Sequence, residues 1–372
     1  MSRTASTVLR SVLDHGPVAR STIARLTGLS AATVTKQYAE LARRGLVREV
    51  DTRIPRVTLG RPHVPVDIDV DRHVVCGVHI AYGHTTFALM NLRGTVLAQE
   101  REPHRTTAPE AVLTRIADRV PAFLKENDRT PVGIGLATGG RIDPDSGTIV
   151  EHSQLGWRHV GAKRFLGERL GLPVHVDSHS RALARAEQLF GDERTRVSVV
   201  HLFVGNVVDA AIATNGTVHS GPGARAGEIA HLALQDDNTP CPCGRTGCLQ
   251  AAVADRTIAE RAVAAGIIDV PDVRRLLDKA RHDPRARAVF RQRARKISQA
   301  AKLLLDVINP EVLVIVEAGA MHLPECLDEI RARTGDRIVT TSFGSDVLSV
   351  AAGSVMLNEV YGHPLYFLKS QN

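Results

Sequence analysis

The sequence predicts an α/β protein in two parts: a small basic winged helix-turn-helix module, then a larger body of alternating strands and helices. Three observations predict it. The chain of 372 residues exceeds one ordinary domain. Its formal charge of +7 lies wholly in the first sixth: residues 1–61 hold eleven Lys/Arg against four Asp/Glu, whereas the other 311 carry 36 of each sign. From Val74 onward short β-rich runs alternate with helical ones, the signature of α/β packing. A compact basic module on a neutral body is the electrostatic footprint of a nucleic-acid-binding head.

In the head, Val8, Leu9, Val12 and Leu13 recur at helical spacing and predict a first helix ending at His15-Gly16-Pro17. Ser21–Thr27 reads as a short second helix stopped by Gly28. Ser30 is a good N-cap for a third helix through Arg44, with Val34, Tyr38 and Leu41 on its buried face. Gly45 ends it and Leu46-Val47 starts a strand, which completes a winged helix-turn-helix at about residues 1–62. On this reading Ala31, Ala32, Thr33, Thr35, Lys36 and Gln37 face the major groove of double-stranded operator DNA. Gln reads adenine, Lys reads guanine or phosphate, and small Ala or Thr meets thymine methyls. Arg43, Arg44, Arg48, Arg53 and Arg56 suit phosphates, and Arg61 of Gly60-Arg61-Pro62 suits a narrow minor groove.

In the body, strands are expected at Val74–Ile80, Thr86–Leu92, Gly133–Ala137, Val197–Val204, Ala210–Thr214 and Val312–Val316. Helices are expected at Ala111–Lys125, Arg181–Phe190, Arg256–Ala265 and about Arg285 to Val307. No repeat period stands out, so a solenoid is rejected. The most apolar stretch, Leu303 to Val316, is broken by Asp306, Asn309, Pro310 and Glu311, so no membrane partner is expected. The N-terminus has no apolar stretch of a secretory signal. Three of five cysteines crowd into Cys241, Cys243 and Cys248, which is metal-like usage and predicts a cytoplasmic protein. The eleven Lys/Arg between Arg274 and Lys302 lack interleaved aromatics and read as a solvated helix face.

The strongest chemical signal runs from His231 to Cys248, HLALQDDNTPCPCGRTGC. Three thiolates plus an imidazole ten residues upstream complete a tetrahedral Cys3His zinc site, with Gly244 and Gly247 allowing the tight turn. All four positions are filled by protein, so the predicted Zn2+ is structural.

With these residues assembled, the chain resembles the transcriptional regulators of the ROK family (repressors, open reading frames and kinases) over essentially its full length. The specific matches are G-E-I-A-H at Gly227–His231 and C-P-C-G-R-T-G-C-L at Cys241–Leu249; weaker ones are Ser153–Trp157, Gly60–Pro62 and Asn309–Ile315. The resemblance implies a two-lobed actin/hexokinase-like body at 73–372. Lobe I would take about 73–180 plus a C-terminal helix at about 350–372, and lobe II about 181–349. It also implies that His231, Cys241, Cys243 and Cys248 bind zinc and that Glu228 and His231 lie at a sugar pocket.

The departures from the family's kinases point away from catalysis. Where a D-x-G-x-T phosphate loop belongs, the chain reads His79-Ile80-Ala81-Tyr82-Gly83-His84-Thr85; the second loop reads Gly205–Ala210, and the adenosine-side G-G reads Val316-Glu317-Ala318-Gly319. The E-N-D-A-N segment aligns with Asp177-Ser178-His179-Ser180-Arg181, which places His179 at the base position. Phosphoryl transfer needs the phosphate cradles and Mg2+ as well as a base, so no enzyme activity is expected. The expected ligand contacts are Glu228, His231, Ser178 and His179, with a sugar or sugar phosphate as effector. The sequence therefore reads as a DNA-binding regulator, a repressor of carbohydrate-related genes, assembled as a homodimer or dimer of dimers. The competing readings are an ATP-dependent sugar kinase with an accessory head and a ligand-independent interaction protein.

Overall fold

The computed structural model describes residues 2–50 and 64–366. The head comprises α1 (Ser2–His15), α2 (Arg20–Thr27), α3 (Ala31–Arg43), β1 (Val47–Glu49) and β2 (Val66–Ile68). Its caps work as the sequence requires. Gly28 sits at φ 68° after α2, and Ser30 Oγ accepts the Thr33 N–H at the start of α3. The wing pairs Val47 with Ile68 and Glu49 with Val66, so the head extends beyond the expected boundary at 62. Arg53, Arg56 and Arg61 lie outside the described residues.

Lobe I contains β3 (Val74–Ile80), β4 (His84–Asn91), β5 (Val96–Pro103), α4 (Pro109–Glu126) and β6 (Pro131–Thr138). It continues through a hairpin sheet of β7 (Arg141–Asp143), β8 (Thr148–His152) and β9 (Trp157–Val160), then α5 (Ala162–Leu170) and β10 (Val174–Ser178). Helix α6 (His179–Phe190) leads into β11 (Val199–Val204), β12 (Val208–Thr214) and β13 (Thr217–Val218). Lobe II then adds α7 (Leu249–Val253), α8 (Asp255–Ala264), α9 (Val273–Ala280), α10 (Pro284–Ile308) and β14 (Val312–Glu317). The chain finishes with α11 (Ala318–His322), α12 (Pro324–Thr334), β15 (Ile338–Thr340) and α13 (Val347–Gly362). The C-terminal helix thus starts earlier than expected and ends at Gly362, not near 372.

Each lobe has a five-stranded sheet, ordered β10-β6-β3-β4-β5 and β13-β12-β11-β14-β15. Parallel strands meet at β10–β6–β3 and at β11–β14–β15, and the remaining pairings within these sheets are antiparallel. Outer helices α4 and α5 close one face of the lobe I sheet, and α10 anchors the lobe II core. Helices α6 and α13 fill the space between the sheets. Helix α13 comes very close to lobe I because a side chain is missing where it crosses: a Cβ on Gly135 would lie 2.2 Å from the Ala352 carbonyl.

The head is not a tethered module. Val8, Leu9, Val12, Ile23 and Leu41 share one apolar cluster with Met90, Leu92, Leu189, Met356 and Tyr361 of the body. Polar contacts reinforce it. Ser6 Oγ donates to the Tyr361 carbonyl at 2.6 Å, the His73 ring meets the Arg44 carbonyl at 2.7 Å, and Arg10 donates to the Gln188 carbonyl. A cut after residue 62 would remove β2 and strip the apolar seat of α1. Among the described residues, no helix is long and apolar enough to cross a membrane.

Candidate functional site

Three regions carry the chemistry: the outer face of α3, a cysteine-rich knuckle and the cleft between the lobes. On α3, Ala31, Ala32, Thr35 and Lys36 are exposed, Thr33 and Gln37 are half-buried, and Val34 and Leu41 point inward. The Oε1 of Gln37 has no hydrogen-bond partner. Arg44 turns back onto Glu40, its Nε 2.8 Å from the carboxylate, and only 13% of its side chain is exposed. Arg43 pairs with the same acid and Arg48 with Asp71. Arg25 and Lys36 are exposed with no acidic partner among the described residues.

The knuckle brings all four expected ligands together, with their donor atoms within 4.8 Å of one another. His231 Nδ1 is 3.6 Å from Cys241 Sγ, and Cys243 Sγ is 3.7 Å from Cys248 Sγ. A zinc–sulfur bond of about 2.3 Å gives a tetrahedral sulfur–sulfur edge of roughly 3.8 Å, so the donor set fits Zn2+ in both kind and spacing. Arg245, hydrogen-bonded beside Cys243, pulls that thiol down to about 6, toward the thiolate a metal needs. The turn depends on Gly247 at φ 70°, where a Cβ would lie 2.3 Å from the Asp237 carbonyl. The backbone ties the knuckle to its surroundings. Leu234 N–H donates to Gly247, Gln250 N–H to Ala230, and Ala210 N–H to Gly227 beside Glu228.

The cleft has a volume of about 840 Å³ and is walled by both lobes and α8–α9. Of the four expected ligand contacts, only His179 lines it. Ser178 is the buried N-cap of α6, donating nothing to the cavity while its Oγ accepts the Arg181 N–H. Glu228 is exposed and paired with Arg141 at 3.5 Å and Arg225 at 3.2 Å. His231 belongs to the knuckle. The cleft is instead built around a histidine cluster. His79 and His179 stack with ring centroids 5.7 Å apart, and His152 lines the same wall. His179 Nε2 is 3.2 Å from Asp209 Oδ1. Burial, together with His179, pushes His79 well below its usual range, and burial brings His152 to about 4.

Sequence reasoning missed Asp209, His152 and a buried network behind the cleft. Arg293 is fully buried, with Nη2 donating to Asp255 at 2.7 Å and Nη1 2.8 Å from Glu317. Glu317 also accepts the Ala320 N–H at 2.6 Å and so caps α11. A lone Asp inside the apolar run Val207–Ala211 was the available signal for Asp209.

Comparison with known proteins agrees with this architecture. Residues 75–362 match the ROK family. A transcriptional regulator of Mycobacterium bovis is 31% identical, with 98% of this chain and 87% of the relative aligned. The DNA-binding transcriptional dual regulator NagC of Escherichia coli is 28% identical over 86% of this chain and 82% of its own. The crystal structure of a ROK family transcriptional regulator, a homolog of the E. coli MLC protein, superposes with a TM-score of 0.79 at 21% identity, covering 97% of this chain and 96% of that one. A ROK family glucokinase from Streptomyces griseus, solved with glucose and AMPPNP, matches 76% of this chain and 98% of its own with a TM-score of 0.67 at 21% identity. The chain belongs to the ROK family, and it carries the N-terminal head of that family's transcriptional regulators.

Proposed function

We propose that the protein is a sugar-responsive, DNA-binding transcriptional repressor whose kinase-like body senses an effector without phosphorylating it. The observation that carries this is the joining of an exposed α3 face to a body whose catalytic positions hold other chemistry. Helix α3 presents Ala31, Ala32, Thr35 and Lys36 to a groove, with Thr33 and Gln37 at the edge, on a head whose first 61 residues carry a net charge of +7. In the body, His79 and His179 replace acids that would serve Mg2+ and the substrate hydroxyl. Glu317 and Arg293 put an internal ion pair at the nucleotide-side loop. Phosphoryl transfer relies on positioned phosphates and metal, and none of these replacements supports either.

Bound at His231, Cys241, Cys243 and Cys248, a zinc ion supplies a rigid cross-link and no reaction step. Ligation through Nδ1 leaves His231 Nε2 available to orient a neighbour, and the Gly227–Ala210 hydrogen bond carries the order of the knuckle to Glu228 and β12. The DNA-binding species is a homodimer, because two heads on a palindrome multiply few base contacts through geometry. Genomic footprinting with and without candidate sugars tests the whole reading. Bound sites beside carbohydrate genes, released by one sugar, are the expected result. Sugar-dependent ADP production above background in a coupled assay overturns it, and a strict monomer on DNA in sedimentation removes the dimer.

A further inference from the structure

The cleft holds buried imidazole nitrogens that the protein itself leaves without partners. His79 is 2% exposed and neither ring nitrogen is hydrogen-bonded; His179 is 3% exposed and its Nδ1 is likewise unpartnered. Both rings line the cavity, and His179 is the first residue of α6. A buried polar atom without a partner carries an unrecovered desolvation cost, so such atoms mark places where a ligand gains.

The charge around them is uneven. Asp209 is satisfied by His179 and Ser180, Asp255 by Arg293, Glu260 by Arg256, and Asp272 by the Arg274 N–H. Each carboxylate at the cleft therefore has a partner in the protein. On the other side, Arg101 leans on His84, and the Arg274 guanidinium has no acidic partner among the described residues. From β11, His201 faces His179; from β8, His152 faces both rings; α13 contributes only apolar Leu348 to the wall.

We infer that His79 and His179 form an oxyanion seat, which takes the phosphate or carboxylate of an acidic sugar together with one proton. The chemistry follows from the tautomers. Asp209 accepts only, so Nε2 of His179 carries hydrogen and Nδ1 offers a lone pair; a second proton, arriving with the anion, converts Nδ1 to a donor. His79 donates one N–H in its neutral form. Because the anion and a proton enter together, binding tightens as pH falls. This deepens the effector reading of the same cleft and rests on it.

Sulfate is the right first probe because it stays dianionic from pH 6 to 8, so any pH dependence belongs to the protein. Thermal melts of the full-length, zinc-replete protein in sulfate, against chloride at equal ionic strength, are expected to show apparent affinity rising toward tenfold per pH unit on acidification. An acetate series separates carboxylate from tetrahedral anion. The basic head also attracts sulfate, so the variants decide. His79→Asn and His179→Asn are expected to lose the pH-dependent part of the response. His79→Asp, which adds a carboxylate, is expected to lose the sulfate response while retaining zinc and a cooperative melt. An equal response in wild type and all three variants, or one independent of pH, overturns the seat. Stabilisation by neutral glucose or xylose without a sulfate response also overturns it, yet leaves an effector cleft. A sulfate response confined to wild type, with operator binding indifferent to every sugar tried, supports the seat and sinks the effector reading.

Discussion

The cysteine knuckle and the interlobe cleft both turn on histidine and treat it in opposite ways. His231 is exposed, yet its Nδ1 is fixed 3.6 Å from a thiol in a set of four convergent donors. His79 and His179 are almost wholly buried, yet three of their four ring nitrogens meet no protein partner. The knuckle spends its local backbone on closing a coordination sphere, so what it can bind is settled by the chain. The cleft holds its imidazoles between two sheets and leaves their hydrogen bonds to whatever enters. The difference teaches that burial alone does not separate a structural histidine from a ligand-seeking one; unpartnered nitrogens on a ring that also lines a cavity do.

The comparison is broken most directly at the knuckle. Cys248→Ser is expected to lose the metal and to lower stability by several kcal/mol, because binding energy there is folding energy. Metal analysis beside thermal melts checks it; protein prepared without chelator and lacking near-stoichiometric zinc would falsify the site. Cys243→Ser is expected to behave alike, since it removes a second of the four convergent donors.

Next in size is the head–body junction. Leu9→Ala is expected to cost about 2–5 kcal/mol, as for other fully buried leucines. The shared cluster implies one cooperative melt for head and body. Two separated transitions in calorimetry, with only the first moved by the substitution, would count against it.

The cleft side of the comparison has its own pH signature. Burial lowers His152 to about 4 and His201 to about 3, below the value near 6.5 of an unfolded chain. Such groups contribute full stability above pH 6.5. That contribution fades as pH falls through the window down to about 3–4, by up to about 1.4 kcal/mol per unit for each group. His201→Asn is expected to flatten the decline measured by urea melts between pH 7 and 5. A parallel decline in wild type and variant refutes the assignment.

The smallest effects belong to α3. Lys36→Ala or Gln37→Ala is expected to reduce discrimination between operator and random DNA by about 1–3 kcal/mol, while Arg25→Ala weakens both and lowers the salt slope. Arg44 has only a modest role to lose, given its pairing with Glu40. An unchanged specificity ratio in both α3 variants would mean that another face enters the groove.

Much of this was legible because its signals are local. The knuckle's three cysteines fall within eight residues, and α2 and α3 announce themselves through Gly28, Ser30 and an apolar period. The cleft was harder because His79, His179 and Asp209 come from three distant elements, and nothing in their local sequence says that they meet. Strand β5 escaped notice because it is an edge strand whose Gln99-Glu100-Arg101-Glu102 run reads as polar coil. Helix α13 was misplaced at its start because it packs against both lobes and so lacks a polar face to give it a period. The wing's return strand is three residues long and follows Pro65, which hid it and put the head boundary too early.

The common core of α1, α13 and the end of α6 leaves the head no free swing. In a regulator whose heads hang on flexible tethers, a second half-site is found at an effective concentration set by linker length. Here the axis of each head is fixed by its own body, so in the homodimer proposed above the separation of two heads is a property of how two bodies meet. Operator spacing then becomes a readout of quaternary geometry. Lengthening the DNA between half-sites by half a helical turn should be penalised as a rigid ruler penalises it, with no slack chain to absorb the rotation.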